Sequence, residues 1–406
     1  MLADMTKPQL EFDATALMRD AERAAGLDDW GGVNVFAPLE SLCRALNGEA
    51  ELTPLGRRFA TSRIPLMLRN RLQLVNCRKH NPAIAEQKIL KPIIVLGLPR
   101  TGTTLLFNLL AQDRGNRSPR CWEVMMPVPC PERDTYDTDV RISETQVLLE
   151  EWGLRNPALM AIHPFDARFA EECPSLCEQV MVGTPYAAFW NVPTYQRETA
   201  GIDREGIFRE HRHLLQHLQW RCAGERWLLK SPSHLADLPS VSRIYPDAVY
   251  VQTHRDITRV LPSYASFYRA FRMLFCLDPT KADPNRVGEQ ISRRLAARLA
   301  AGAAHRKTKE GERLNFIDVL YADLIADPTS VVRSIYRRAG LTLSPETQTA
   351  MVRWLAQNQQ GRHGRHGYSL AEIGINEDEV RHTFGGYMSE YSIPPEGAAH
   401  DRQAVK

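Results

Sequence analysis

The sequence predicts an α/β fold in which a parallel sheet is flanked by helices, with a helical N-terminal extension and helical insertions in the core. Three observations carry that expectation. Ile93, Ile94, Val95 and Leu96 form a continuously apolar run, as a strand buried on both faces requires, and the chain passes through Gly97 and Gly102 into Leu105, Leu106, Leu109 and Leu110 at helical spacing. Three more short runs, 227–230, 248–256 and 314–319, each end in polar or charged residues. Long stretches of helical periodicity lie before and between them. With 406 residues, 43% of them apolar, the chain can bury one large core with additions.

In chain order, residues 1–88 form the helical extension. Residues 15–25 are periodic and end at Gly26, 39–46 suggest a second helix, and 66–75 a third, with Pro65 suited to its first turn. The core, 89–345, opens on the strand, glycine turn and helix. From Arg117 to Pro129 the chain is apolar and rich in proline, so it is expected to run extended and to bring Trp122 and Glu123 back towards the turn. An insertion at about 135–220 is poor in glycine and largely helical. Its Phe165, Phe169, Tyr186, Phe189, Trp190 and Tyr195 serve either as core or as the wall of a pocket for an apolar alcohol or phenol.

Further on, a helix over about 284–306 sets Val287, Ile291, Leu295 and Leu299 on one face, with Arg293, Arg294 and Arg298 elsewhere on what reads as a solvated surface. Asp327 caps a helix that starts with Pro328. The C-terminal segment, 346–406, carries Gly361, Arg362, His363, Gly364, Arg365, His366 and Gly367, a flexible cationic loop.

The turn between Gly97 and Gly102 is where chemistry is expected. A helix that opens at a glycine turn presents unpaired N–H groups and a partial positive charge, which together hold an anion such as phosphate. The glycine spacing fits the nucleotide phosphate loop Gly-x-x-x-x-Gly-Lys-Ser/Thr, but Thr103 stands where that motif needs lysine. Arg100 lies inside the loop instead and can fork onto two oxygens of the anion without a metal.

Leu98-Pro-Arg-Thr-Gly-Thr-Thr-Leu105 resembles the 5′-phosphosulfate loop of sulfotransferases that use 3′-phosphoadenosine 5′-phosphosulfate (PAPS), in its bacterial, arginine-containing form. The resemblance extends over about 89–388 and implies a P-loop-like sheet, a PAPS donor and no metal. It assigns Arg100, Thr101, Gly102, Thr103, Thr104 and Leu105 to the phosphosulfate. Arg255, with Ser263 eight residues on, is similar to the 3′-phosphate element of the family, and Tyr321 to a tyrosine near its adenine. Arg362, Gly364 and Arg365 resemble the late basic segment that closes over the 3′-phosphate.

Lys230 and His234 look like the family's Lys-x-His element with two extra residues between them, and Glu123 is similar to the glutamate base of its carboxylate-using branch. The base is therefore Glu123 or His234, and Lys230 and Arg100 stabilise the transferring group. The four strand ends meet on one edge of a parallel sheet, where ligands of open α/β sheets bind. An ATP-dependent kinase would need the missing lysine and magnesium ligands. A non-catalytic nucleotide-binding module would bind the nucleotide and transfer nothing.

Net charge of +3 argues against a nucleic-acid coat. The eight cysteines lack the paired spacings of a zinc site and the density of a disulfide scaffold, and Cys173 and Cys177 read as core. With no apolar leader and no run long enough to span a bilayer, the expected setting is cytoplasmic, with peripheral membrane contact by a lipid acceptor still open.

Overall fold

All five residues of β1 (Ile93–Gly97) are buried, and the strand lies at the centre of the sheet. The structure, a computed structural model, describes residues 11–358 and 369–396. Five parallel strands run in the order β2 (Asn116–Arg117), β3 (Arg226–Lys230), β1, β4 (Val249–His254) and β5 (Asn315–Leu320). Side chains alternate across a strand, so Ile93 and Val95 pack under the helix Thr103–Leu110 while Ile94 and Leu96 join the larger core on the opposite face. Both faces are thus covered, and both positions of the alternation have to be apolar.

The register brings the strand ends together. Val95 lies opposite Lys230, Gly97 opposite Thr253, and His254 opposite Leu320. The loop after β1, Lys230, Arg255 and Tyr321 therefore leave the sheet at one edge.

The four expected strands are β1, β3, β4 and β5; β2, at two residues, is too short to carry a periodic signal. Residues 117–129 do not run extended throughout. The helix Cys121–Met125 interrupts them, with Pro119 before it and Pro127 and Pro129 after it, so the prolines bracket a helix. The helices Ala14–Ala25 and Phe36–Gly48 stand where expected.

The third helix is much longer than 66–75. It runs Pro54–His80, with the Thr53 hydroxyl accepting from Gly56 N at 3.0 Å and Pro54 in its first turn. Pro65 lies inside it, and the lost backbone hydrogen bond is tolerated because Phe59, Ile64, Leu68 and Leu72 are fully buried along the helix. Arg63 of this helix grips Glu178 of the insertion through two 2.7 Å bonds, at side-chain exposures of 4% and 0%.

In the helix Pro284–Arg306 the four expected apolar residues are buried, but so is Arg298, which the sequence reading left in solvent. Among the described residues no helix is long and apolar enough to cross a membrane.

Candidate functional site

The loop is fixed from within. Thr101 is fully buried; its hydroxyl lies 2.6 Å from Leu98 O and 2.6 Å from the Thr253 hydroxyl of β4. Gly97 has φ +139°, and a Cβ there would fall 2.5 Å from Thr253 Oγ1, so only glycine lets the two strands close here. Gly102 has φ +89°, and its Cβ would meet Tyr321 at 2.9 Å. The helix Thr103–Leu110 starts directly behind it and aims its unpaired N–H groups at the sheet edge.

Three strand ends surround this helix terminus. Lys230 Nζ, buried at the end of β3, donates to Thr104 Oγ1 at 3.1 Å and pairs with Glu172 at 2.8 Å. Arg100, exposed and at φ +68°, donates from Nε to Ser263 Oγ at 2.9 Å. Arg255, just past β4, donates to Arg100 O at 3.0 Å and lies 3.8 Å from the Tyr321 ring centroid. Arg255 also makes two 2.8 Å bonds to the carboxylate of Glu396, from the C-terminal segment.

A cavity of about 320 Å³ opens over this edge. Arg100, Gly102, Thr103, Thr104, Leu105, Arg255 and Tyr321 line it, and so do the aromatic residues Phe165, Phe189, Tyr264, Phe267 and Phe271. A second space of about 810 Å³, lined by Lys230, Arg117 and Arg120, shares Thr104, His163, Glu171 and Glu172 with the first. The cavity therefore combines cationic and hydrogen-bonding groups with aromatic surface, and the carboxylates of Glu171 and Glu172 line it too.

Of the sequence-predicted residues, Arg100, Thr101, Gly102, Thr103, Thr104, Leu105, Lys230, Arg255, Ser263 and Tyr321 come together at the sheet edge. Glu123 does not. It is 0% exposed, and its oxygens are taken by Arg117 at 2.5 Å, Arg120 N at 2.8 Å and the Tyr136 hydroxyl at 2.8 Å. This corrects the expectation that the segment carries Glu123 back to the loop: the short helix turns the carboxylate inward as its own cap. His234 is buried against Phe208, at 5.3 Å between ring centroids, and lines a small pocket with Asp237 rather than the main cavity. Burial holds its pKa down, to about 3, with Arg204 adding to the effect. Arg362, Gly364 and Arg365 lie outside the described residues.

The aromatic expectation is met in part. Phe165 and Phe189 line the cavity, whereas Tyr186, Trp190 and Tyr195 are core and Phe169 is 51% exposed. The missed residues are Glu171, Glu172 and His163. Burial pushes the Glu171 carboxyl up. The His163 pKa falls to about 4, chiefly by burial and further by Lys230 and Arg100, so its ring is neutral near pH 7. The two adjacent carboxylates directly after Phe169 and Ala170 were the signal in the sequence.

Comparison with known proteins bears on the family and the fold. The sequence profile of the Sulfotransferase family matches residues 92–345. The crystal structure of sulfotransferase STF9 from Mycobacterium avium superposes with a TM-score of 0.85 at 26% identity, covering 97% of this chain and 100% of that one. Sulfotransferase STF1 from Mycobacterium tuberculosis H37Rv gives 0.78 at 32% identity, covering 93% and 100%. Omega-hydroxy-beta-dihydromenaquinone-9 sulfotransferase Stf3 of Mycobacterium bovis is 25% identical over 266 residues, which is 62% of this chain and 63% of that protein's length. With a profile matched across more than half its length and a core of the same architecture, the chain belongs to the Sulfotransferase family.

Proposed function

We propose that the protein transfers a sulfuryl group from PAPS to the hydroxyl of an apolar, lipid-like alcohol. The observation that carries this reading is that one cavity is lined both by Arg100, Gly102, Thr103 and Thr104 of the loop and helix terminus and by the aromatic residues Phe165, Phe189, Phe267 and Phe271. The dianionic phosphosulfate of the donor suits the first group of residues and an oily acceptor the second. The name of the Stf3 relative, an enzyme of a hydroxylated menaquinone, supports an acceptor of that class.

In this reading the N–H groups of residues 102–104 and Arg100 hold the 5′-phosphosulfate. Arg255 and Ser263 take the 3′-phosphate, and Tyr321, stacked on Arg255, lies by the adenine. Arg362, Gly364 and Arg365 complete the 3′-phosphate site from the C-terminal segment. The acceptor oxygen attacks sulfur in line, the bond from sulfur to the phosphate oxygen breaks, and adenosine 3′,5′-bisphosphate leaves. Lys230 and the loop N–H groups stabilise the charge that develops on the bridging and sulfuryl oxygens.

The hydroxyl proton passes to Glu172. Its side chain is 25% exposed at the cavity and 2.8 Å from Lys230, itself against Thr104, whereas Glu123 and His234 line neither of the two spaces. The residues of this scheme supply the charge stabilisation themselves, so no metal is assigned to the transfer step. Incubating the protein with ³⁵S-labelled PAPS and a panel of isoprenoid, sterol and phenolic alcohols tests the proposal. Labelled product from an apolar alcohol is expected; label confined to sugars, or no transfer to any alcohol, overturns it.

A further inference from the structure

Away from the cavity, three segments that are distant in sequence bring two thiols and an imidazole together. Cys77 comes from the last turn of Pro54–His80, Cys130 from the loop after Cys121–Met125, and His217 from the helix Arg204–Gln219. One ligand atom from each lies within 4.8 Å of the others. Cys130 and His217 are buried, and Cys77 is half-buried with access to solvent.

We propose that Cys77, Cys130 and His217 bind a thiolate-preferring divalent cation, zinc first, as a structural clamp between the N-terminal extension and the core. Tetrahedral zinc with bonds of about 2.3 Å to sulfur and about 2.0 Å to nitrogen spaces its ligand atoms about 3.5–3.8 Å apart. Cys130 Sγ lies 3.5 Å from His217 Nδ1 and 3.4 Å from its Nε2, so closure around a metal on Nδ1 asks the sulfur to swing to the Nδ1 side and the 4.8 Å separation to shorten, movements of about 1–2 Å.

The surroundings match what a metal ligand needs around it. His217 Nε2–H donates to Pro127 O at 2.8 Å, which fixes the tautomer and leaves Nδ1 to bind a metal. Asn81 Nδ2–H donates towards Cys77 Sγ at 3.7 Å, where it supports a thiolate. Binding displaces the two thiol protons to solvent, and water takes the fourth position on the half-exposed Cys77 side. None of the three residues lines either space of the candidate active site, so the clamp is distinct from sulfuryl transfer.

Elemental analysis of the full-length protein, purified without chelator from zinc-supplemented cells, is expected to find about one zinc per chain, with Cys43→Ser retaining it and Cys130→Ser falling below about a tenth. Because Cys130→Ser can also fail to fold, the wild-type chain is stripped and refilled with cobalt. Sulfur-to-cobalt charge-transfer bands and strong tetrahedral d–d bands are expected. Removing the metal is expected to lower the thermal midpoint by about 3–5 °C. Less than a tenth of an equivalent of zinc with no cobalt–thiolate spectrum overturns the proposal, as does a Cys77–Cys130 disulfide in freshly purified protein.

Discussion

Glu396→Gln is expected to tighten binding of adenosine 3′,5′-bisphosphate. In the proposed scheme Arg255 takes the 3′-phosphate, yet its guanidinium already forms a two-pronged pair with Glu396, each side chain 20% exposed. Two unit charges about 4 Å apart at an effective dielectric near 20 attract by about 4 kcal/mol before the cost of desolvation. A charge-assisted, partly exposed pair retains about 1–2 kcal/mol of that. An incoming phosphate has to displace or crowd this carboxylate. Replacing it with a neutral amide returns the difference, which corresponds to a Kd about 5–30 times lower.

The segment itself stays docked in this variant. Glu396 N donates to Asp256 at 2.8 Å, and Arg259 donates to Glu396 O at 3.0 and 2.8 Å, contacts that do not involve the altered side chain. Isothermal calorimetry with the bisphosphate and with adenosine 5′-phosphate is the assay. The gain belongs to the bisphosphate alone. An unchanged or weaker Kd for the bisphosphate, or an equal gain for the monophosphate, would refute the reasoning.

Other expectations follow from the same geometry. Glu172→Gln should lower kcat by about 10²–10⁴ while leaving donor Kd within about twofold, measured by single-turnover transfer and calorimetry; full turnover would remove Glu172 from the base's role. Glu178→Gln strands the buried Arg63 guanidinium and should cost about 3–5 kcal/mol in urea unfolding, whereas a loss under about 1 kcal/mol would mean the pair is dispensable. Acid should destabilise the fold. Burial lowers the pKa of His163 to about 4 and of His211 and His234 to about 3, so the unfolded chain binds more protons below its ordinary histidine value of about 6.5. The stability these neutral rings contribute is present above that value and lost as pH falls towards 3–4. Thermal midpoints from pH 7 to pH 4 should drop, His234→Gln should flatten the slope, and a midpoint independent of pH would contradict the assignment.

The parts of the site that were readable from sequence are those written locally. A fully apolar strand, two glycines at turn positions and leucines at helical spacing fix β1, the loop and its helix within about twenty residues. Lys230, Arg255 and Tyr321 were readable because Lys230 ends a strand and the other two directly follow one, and a parallel sheet collects such ends. Residues whose role depends on where a loop or turn delivers them were not readable. Glu123 is close to the loop in sequence, but a helix of five residues turns it onto Arg117. Glu172 reaches the cavity from an insertion with no regular repeat, and Glu396 meets Arg255 across 141 positions. The aromatic lining comes as much from Tyr264, Phe267 and Phe271 on the helix Ile257–Phe275 as from the aromatic residues of the insertion, because periodic helix positions look alike whether they face core or cavity.

The central claim is that separate cationic groups at one rim of the sheet grip the two phosphate-bearing ends of a single nucleotide. Direct calorimetric comparison of adenosine 3′,5′-bisphosphate with adenosine 5′-phosphate on the wild-type chain tests it most directly. Paired charge-assisted contacts to the 3′-phosphate predict a preference of at least about 30-fold for the bisphosphate, reduced to near parity by Arg255→Ala. Equal affinities for the two nucleotides on the unaltered protein would contradict it.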